Sequence, residues 1–552
     1  MAAYTVINLN DVGVGSLRDA IDQVNAGLFD IVEFQAGLTG TIEIFSGLPE
    51  NTRNITINGP GSSAITVHAN ANSGVLNRYR VFTIGNGITA NINGLTVSGG
   101  YGPVAATPNS DGGGILVYQA STANLDNMVV TENTAETRGG GIGVTLASTL
   151  NLTNSSVTNN VVDVFQGGGI FVDASTANIE FVTVSGNTAN GAAGLGAGIF
   201  TNGTTNINYS TISFNSSPLS VNAAGGLQMA GATVNVFYST FNTNTGQNAN
   251  NIGANGTLNF INSTSAYTVA DIVPNISIDA GTTTMVNSTV QGAGATRIVG
   301  TLNLGNSIIN STFGNAPVPI GPNFIGNPAL TPLQNNGGPT DTYAPVAGSP
   351  VIDTGDNTLA LAFSMTDQRE FFRIWPPAGT VDIGSVEFAS QPVCYSGTSM
   401  VLTKNKLTGE IKEIEAKKVF SDIHEVFDTN KKIFVPIIFN VVGIPIKRFM
   451  KIRKDAFGEN LPNANFYVTG GHKILVNGSL VKARDIHCAE RVKVKSQEVY
   501  SICTEEESTI MINGLSVAAT AANDWLEYSK KKCINWRNNK PRKVMKELSI
   551  NQ

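Results

Sequence analysis

The sequence predicts an all-β chain in three parts: a right-handed parallel β-helix over residues 1–390, a second all-β domain over residues 391–520, and a short basic extension over residues 521–552. Three observations support this prediction. Glycine clusters recur every 27 to 29 positions in the first part, short β-branched stretches lie between them, and the composition changes sharply near residue 391.

The repeat is carried by three series of residues. Clusters of the form Gly-Gly-Gly-Ile begin at residues 112, 139 and 167, and related clusters begin at 196 and 225. The apolar residue that closes each cluster advances by 27, 28, 29 and 28 positions. An apolar residue followed three positions later by asparagine keeps the same period, with the asparagines at Asn133, Asn160, Asn187, Asn215 and Asn244.

A constant period of this length indicates a solenoid. A turn of ~27 residues at ~3.3 Å per residue gives a circuit of ~90 Å, which accommodates three short strands and their corners. Because stacked strands lie ~4.8 Å apart, the asparagines of successive turns are expected to form a ladder of hydrogen-bonded amides. The glycines are expected at the corners, where positive φ angles and close backbone approach are needed.

Charge and composition separate the second part from the first. Residues 1–390 contain no lysine or cysteine and carry 8 Arg against 23 Asp and Glu, a net charge of 8 − 23 = −15. The remainder carries 34 − 8 = 26 basic and 40 − 23 = 17 acidic residues, a net charge of +9. A lysine-free acidic surface is a poor match to phosphates, so we expect no nucleic-acid partner.

Several other classes of site are not expected. The longest apolar run, residues 433–446, is too short to span a bilayer and contains two prolines. No CxxC pair occurs, so we expect no metal site, and no motif indicates a cofactor. The residues after Met1 show neither the basic region nor the apolar core of a signal peptide.

Both ends of the first part resemble a known family. Residues 15–21 read GSLRDAI, which is similar to the SLREA-type opening of bacterial surface β-helix proteins. Residues 335–340 (NNGGPT), 348–353 (GSPVID) and 382–384 (DIG) resemble the close of choice-of-anchor repeat domains. The resemblance covers nearly all of residues 1–388 and implies an adhesin-like protein. We therefore expect a surface, secreted or virion-associated location, although no leader is visible.

Four charged residues near the glycine corners are candidates for a catalytic cluster across turns. Asp111, Arg138, Asp163 and Asp173 are separated by 27, 25 and 10 positions, which does not follow the period. We interpret them as solvated turn residues, and His68 as a passive strand residue. The alternative is a carbohydrate-active β-helix, either a lyase or glycosidase or a viral spike, with a glycan as the ligand.

The second part begins with three ordered motifs. Cys394 opens it, residues 469–472 read TGGH between strand-like segments, and Asn513-Gly514 lies between apolar runs. Together these motifs, over about residues 394–520, resemble the Hint fold that hedgehog C-terminal domains, inteins and bacterial intein-like modules share. The resemblance implies that Cys394 attacks the carbonyl of Val393 to form a thioester, while Thr469 and His472 hold and protonate the departing amide nitrogen.

The resemblance also indicates how the thioester is resolved. Ala518 and Ala519 follow the last motif, so the closing asparagine and second nucleophile of inteins are absent and splicing is not expected. Residues 421–428 resemble the hedgehog segment that activates an external nucleophile, which makes Asp428 the expected base. The acyl group of Val393 would then be transferred to water, to a small amine or hydroxyl nucleophile, or to a surface acceptor.

The reaction would be a single-turnover intramolecular cleavage, and the alternative is a structural or binding protein with an inactive Hint domain. We expect structural roles for the remaining candidates, which are His424, His487, Cys488 and Cys503. Cys533 lies in the basic extension and is expected to be a free thiol.

Overall fold

The computed structural model describes residues 2–71, 78–102, 111–267, 273–292, 296–336, 338–358, 366–369, 380–388, 395–396, 398–420, 423–429, 431–457, 462–468, 473–476, 479–483, 486, 488–504 and 508–521. The chain divides into two compact units. The first comprises residues 1–363, 367–369 and 382–386, and the second comprises residues 364–366, 370–381 and 387–552.

The first unit is a parallel β-solenoid of about ten turns, as the repeat predicts. Within the described residues its first sheet contains 21 strands: Ala3–Val6, Ile31–Phe34, Ile55–Asn58, Phe82–Ile84, Thr89–Asn93, Ile115–Val117, Thr122–Asp126, Ile142–Val144, Thr149–Thr153, Ile170–Val172, Thr176–Glu180, Ile199–Thr201, Thr204–Asn208, Leu227–Met229, Ala232–Phe237, Ile252–Ile261, Ile276–Val286, Thr296–Ile298, Thr301–Gly305, Thr312–Gly314 and Val318–Pro319.

Two narrower sheets complete the turns. In the described part of the chain the second sheet has 12 strands: Gly40–Ile44, Ile65–Ala69, Thr96–Ser98, Val129–Thr131, Ser156–Thr158, Thr183–Ser185, Thr211–Ser213, Thr240–Asn242, Thr264–Ala266, Thr289–Gln291, Ser307–Ile309 and Asn323–Ile325. The third sheet, over the same described ranges, has four: Tyr101–Gly102, Thr134–Ala135, Val161–Val162 and Thr188–Ala189.

Successive turns pair residue for residue. Ile115 pairs with Ile142, and Val130 pairs with Val157, which reproduces the 27-residue period. A typical turn contains four short strands instead of the three predicted, because the side that belongs to the first sheet bends in the middle. The bend uses two non-glycine residues with positive φ, Gln119 and Ala120, each at 56°.

The inner asparagine ladder is present as predicted. Asn133 donates from Nδ2 to Oδ1 of Asn160 at 3.0 Å, and Asn160 donates in the same way to Asn187. The series continues without exposure to solvent through Asn215, Asn244, Asn251 and Asn275. The turns from Asn133 to Asn275 therefore bury amides whose partners lie in the adjacent turns, which satisfies these polar atoms inside the core.

The glycine corners serve both expected purposes. The first glycine of the first four clusters has positive φ, at 75°, 68°, 69° and 60° for Gly112, Gly139, Gly167 and Gly196, whereas Gly225 does not. The second glycine allows close stacking instead. A Cβ on Gly140 would lie 2.3 Å from the carbonyl oxygen of Val161.

A short helix, Leu17–Asn25, lies near the start of the solenoid. Ser16 caps it by accepting a hydrogen bond from the N–H of Asp19 at 3.2 Å, a standard N-cap arrangement. Four apolar residues on one face of the helix are buried and extend the core of the solenoid: Leu17, Ala20, Ile21 and Val24.

A covering segment, residues 338–344, 367–369 and 382–386, packs on the outer side of the second sheet. Gln368 is fully buried, accepts a hydrogen bond from Thr240 Oγ1 at 2.6 Å, and donates to Thr211 Oγ1 at 2.9 Å. The N–H of Ser385 donates to Thr264 Oγ1 at 3.0 Å. The covering segment thus converts an outer column of threonines into buried structure.

The second unit is a separate, mainly antiparallel sheet with its own apolar core. Its described strands number 11: Tyr395–Ser396, Met400–Asn405, Ile411–Glu415, His424–Asp428, Ile433–Ile452, Phe466–Val468, Lys473–Val476, Ser479–Lys482, Ala489–Thr504, Ser508–Ile512 and Leu515–Ala521. A 3₁₀ turn spans Ala416–Lys418. The two longest strands, Ile433–Ile452 and Ala489–Thr504, pair as an antiparallel ribbon.

Candidate processing site and outer faces of the solenoid

The first strand of the second unit pairs with two others. Tyr395 lies opposite Val468 in one antiparallel pair and opposite Tyr500 in the other. Phe466 and Val468 are fully buried and fix their strand against the core. Tyr395 directly follows Cys394 in the chain, and Val468 directly precedes Thr469. The strand that follows the predicted nucleophile, Cys394, and the strand that precedes its predicted partner, Thr469, are therefore neighbours in the sheet.

Most of the predicted site residues lie outside the described residues. These are Val393, Cys394, Thr469 and His472. Asp428 is described, at the end of the strand His424–Asp428, and is 1% exposed. Its Oδ1 accepts a hydrogen bond from the N–H of Lys431 at 3.0 Å, and its carbonyl oxygen accepts one from Lys432 at 2.8 Å. The Asp428 carboxylate thus closes the turn into the long ribbon, a contact that the sequence did not predict.

The Asn513-Gly514 pair forms the predicted hairpin between Ser508–Ile512 and Leu515–Ala521. Both residues have positive φ, 49° and 78°, as a two-residue primed turn requires. Asn513 Oδ1 accepts from the N–H of Met400 at 2.6 Å, and the N–H of Asn513 donates to the carbonyl of Met400 at 2.7 Å. The amide of Asn513 therefore joins two parts of the sheet and has a structural role.

Two of the residues expected to be structural have structural surroundings. His424 is 8% exposed, and its Nδ1 accepts a hydrogen bond from the N–H of Phe420 at 3.2 Å. Cys488 is half-buried, and burial raises the pKa of its thiol, which disfavours the reactive thiolate. His487 and Cys533 lie outside the described residues, as does the side chain of Cys503.

The interpretation of the solenoid charges as solvated turn residues was wrong for Asp111. Asp111 is fully buried, and Arg138 Nε donates to its Oδ1 at 2.8 Å. The same guanidinium lies 3.7 Å from Asp173 Oδ2 and 4.7 Å over the ring of Phe171. Burial raises the pKa of Asp111, and the positive charge of Arg138 opposes that shift. Asp111 lies 27 positions before Arg138, which is one full turn, and the long side chain of Arg138 also reaches toward Asp173 in the following turn. The irregular spacings of Asp163 and Asp173 hid this contact in the sequence.

Asp163 belongs to a different cluster. Its Oδ2 accepts a hydrogen bond from the hydroxyl of Tyr101 at 2.6 Å. Burial and this bond to Asp163 raise the pKa of Tyr101 to about 12. His68 stands on its strand as expected, with Nδ1 2.9 Å from Ser98 Oγ.

A polar groove further along the solenoid was not predicted. It has a volume of about 470 Å³ and is lined by residues of several turns, including Phe200, Gln228, Asn248, Asp279 and Arg297. Arg297 Nη1 donates to Asn248 Oδ1 at 2.8 Å and to Asp279 Oδ1 at 2.9 Å. Arginine is scarce in residues 1–390, where Arg297 is one of only eight, and this scarcity was the sequence signal that could have pointed to the groove.

The comparisons with known proteins give no family. No protein-family profile matches the chain, and no curated protein is significantly similar to it in sequence. Among the residues that the structure describes, no helix has the length and hydropathy needed to cross a membrane. The same residues contain no group of three or more histidine, cysteine or acidic side chains arranged to hold a metal ion.

Proposed function

We propose that this chain is an adhesin-like β-solenoid whose C-terminal domain is a Hint-type module that cleaves the Val393–Cys394 bond. The observation that carries the proposal is the register of Tyr395 opposite Val468. This register makes neighbours of the strand that directly follows Cys394 and the strand that directly precedes Thr469, which are distant in the sequence. Lysine and cysteine occur only after this border, and this change of composition also supports the proposal.

The first step of the proposed reaction is an exchange of acyl bonds. The Cys394 thiolate attacks the carbonyl carbon of Val393, a thioester forms, and the peptide C–N bond breaks. The departing nitrogen takes a proton and becomes the α-amine of Cys394. By the Hint resemblance, Thr469 and His472 hold this amide and supply that proton. Fixing the thiol beside the carbonyl within one fold is worth up to ~7–11 kcal/mol when orientation is good.

The second step transfers Val393 to an acceptor. Water would release residues 1–393 as a free acid, whereas an amine or hydroxyl would join them to another molecule, and the Cys394 thiol is regenerated in each case. Asp428 is the proposed base for this step by the same resemblance. Because Ala518 and Ala519 stand where inteins carry the closing asparagine and second nucleophile, transfer to an external acceptor is favoured over intein-like cyclisation.

Intact mass spectrometry of the purified chain tests this proposal directly. The protein is incubated with and without dithiothreitol or hydroxylamine, beside Cys394→Ala and the control Cys488→Ala. We expect fragments corresponding to residues 1–393 and 394–552 in the wild type and in the control, and none in Cys394→Ala. A single full-length mass under every condition would overturn the proposal and favour a binding protein with an inactive module.

The polar groove favours a second candidate function, glycan binding by the solenoid. Its amides and its Arg297–Asp279 pair offer paired donors and acceptors suited to sugar hydroxyls, and its volume fits the usual range for small ligands. Binding of neutral oligosaccharides to the full chain is measured by calorimetry against Asp279→Asn. Equal affinity of both proteins, or no binding by either, would exclude this groove as a glycan site.

A further inference from the structure

One outer face of the solenoid carries a repeated Thr-x-Asn motif, which we call the T-x-N face. It lies on the strands of the first sheet that include Thr89–Asn93 and Thr122–Asp126. The threonine column is Thr89, Thr122, Thr149, Thr176, Thr204, Thr233, Thr257, Thr282 and Thr301. The second column, two residues later, is Asn91, Asn124, Asn151, Asn178, Asn206, Asn235, Asn259, Thr284 and Asn303.

Both columns face solvent. The residue between them in each turn points into the core and is at most 1% exposed, as with Ala123, Leu150 and Ala177. Alternation along a strand therefore directs the threonine and the asparagine outward, and every member of both columns is partly or fully exposed. The pairing has no register shift within these segments, so the columns are continuous, with a repeat of about 4.8 Å.

The asparagine side chains are fixed in one orientation. Nδ2 of Asn151 donates to Oδ1 of Asn124, and Nδ2 of Asn178 donates to Oδ1 of Asn151, each at 2.7 Å. The same bond recurs from Asn91 to Asn259 at 2.7 to 2.8 Å. Each amide has two donors and two acceptor lone pairs, so it retains hydrogen-bonding capacity toward solvent. The face is ordered before any ligand arrives, which lowers the entropy cost of binding.

The T-x-N face differs from the threonine column of the second sheet. There Thr211, Thr240, Thr264 and Thr289 are at most 2% exposed beneath the covering segment. On the T-x-N face, Thr204, Thr233, Thr257 and Thr301 are exposed. The molecule thus uses one threonine column for its own packing and leaves the other open.

The chemistry of the face matches an extended lattice better than a discrete molecule. Its two columns contain no charged or aromatic side chain, and the nearest carboxylates, Asp126 and Glu180, stand in the adjoining column. A groove of about 350 Å³ beside the asparagines combines polar residues such as Asn93 and Thr153 with the apolar Ile92 and Leu125. The face lacks the aromatic surface and the enclosure typical of small-ligand pockets.

We propose that the T-x-N face binds ice. Water molecules on an ice surface also repeat in two dimensions, and one of their repeats is close to the spacing of parallel strands. Threonine offers a hydroxyl for hydrogen bonding and a methyl group that orders the adjacent water, and the fixed amides extend the array sideways. Each contact between the face and ice is weak. Because the contacts repeat over nine turns and the side chains are already ordered, together they hold the protein firmly on the ice lattice.

Partition of the full-length protein into slowly growing ice tests this inference, together with freezing-point hysteresis in a nanolitre osmometer. Thr149→Tyr and Thr176→Tyr each place a bulky ring in the centre of the face, and Thr183→Tyr is the matched control on the second sheet. Circular dichroism melting establishes that each variant is folded. We expect wild type and control to concentrate in the ice and each central variant to lose about tenfold or more, as central interface positions do.

Three outcomes would overturn the proposal. The first is exclusion of the wild type from ice to the same extent as serum albumin. The second is partition of the two central variants equal to that of the wild type. The third is retention on insoluble cellulose or chitin without retention in ice, which would assign the face to polysaccharide. None of these results depends on whether the Val393–Cys394 bond is cleaved.

Discussion

Asparagine has two different roles in this molecule, one at the inner corner between the second and third sheets and one on the outer side of the first sheet. Asn187 is fully buried, donates to Asn215 Oδ1 at 2.9 Å, and accepts two hydrogen bonds from Asn160. Asn178 lies in the outer ladder and remains partly exposed. At the buried position, the asparagine supplies hydrogen bonds that no other group can supply. At the exposed position, water can make the same hydrogen bonds in its place.

Alanine substitution of Asn187 and of Asn178 should lower the free energy of unfolding by different amounts. Asn187→Ala leaves buried donors of Asn160 without their acceptor, so we expect a loss of about 2–4 kcal/mol in the free energy of unfolding. For the control, Asn178→Ala, water replaces the lost partner and the expected loss is below about 1 kcal/mol. Urea unfolding of the solenoid measures both, and equal losses would contradict the distinction.

Tyr343 links stability to alkaline pH. It belongs to the covering segment, is 3% exposed and donates to Asn242 Oδ1, and burial raises its pKa to about 12. Because the folded-state pKa lies above the usual 10, the folded state retains the proton more tightly than the unfolded state. This contribution to stability is fully present below pH 10 and is lost as the pH rises from 10 toward 12.

The phenylalanine variant provides the check. In Tyr343→Phe the free energy of unfolding should fall less steeply between pH 9 and 11.5 than in the wild type. Part of the slope should remain, since burial also raises the pKa values of Tyr101 and Tyr118 to about 12. Superimposable pH profiles would show that Tyr343 ionises equally in both states.

Each corner of the solenoid depends on close approach of neighbouring turns. A Cβ added at Gly140 would lie 2.3 Å from Val161 O and 2.4 Å from Gly168 O, and backbone atoms cannot yield without moving the turn. At Gly326 an added Cβ meets nothing within 4 Å. The clusters are therefore a packing requirement and not only a conformational one.

Alanine substitution at the two glycines should differ strongly. Gly140→Ala is expected to cost more than about 3 kcal/mol, or to prevent folding, because the adjacent turns must separate. Gly326→Ala is expected to change stability by less than about 0.5 kcal/mol. Thermal unfolding and limited proteolysis compare the two, and a stable Gly140→Ala solenoid would show that the corner can relax.

The repeat made some elements predictable from sequence and left others hidden. The asparagine ladder and the glycine corners were predictable because one residue type returns at one interval. The bend at Gln119 and Ala120 was not, since it places positive φ on residues that carry no glycine signal. The pairing of Tyr395 with Val468 was also hidden, because the partners are 73 positions apart and share no repeat.

At the scale of the whole molecule, the charge division gives the proposed cleavage a simple physical consequence. The residues before the border carry a net charge of −15 and those after it +9. Cleavage should therefore convert one moderately acidic chain into two products of opposite sign near neutral pH. On ion exchange at pH 7, residues 1–393 should be retained by an anion exchanger and residues 394–552 by a cation exchanger. Co-elution in 1 M salt would reveal an association that charge screening does not break.

The two asparagine ladders run in opposite directions. Inside, each amide donates to the turn that follows, as Asn133 does to Asn160, whereas outside each amide donates to the turn before, as Asn151 does to Asn124. Their dipoles therefore oppose each other along the stack, unlike the aligned peptide dipoles of an α-helix, which sum toward its ends. A further turn inserted by duplication would meet the same electrostatic surroundings as its neighbours, so the solenoid can lengthen without any growing polarity between its two ends.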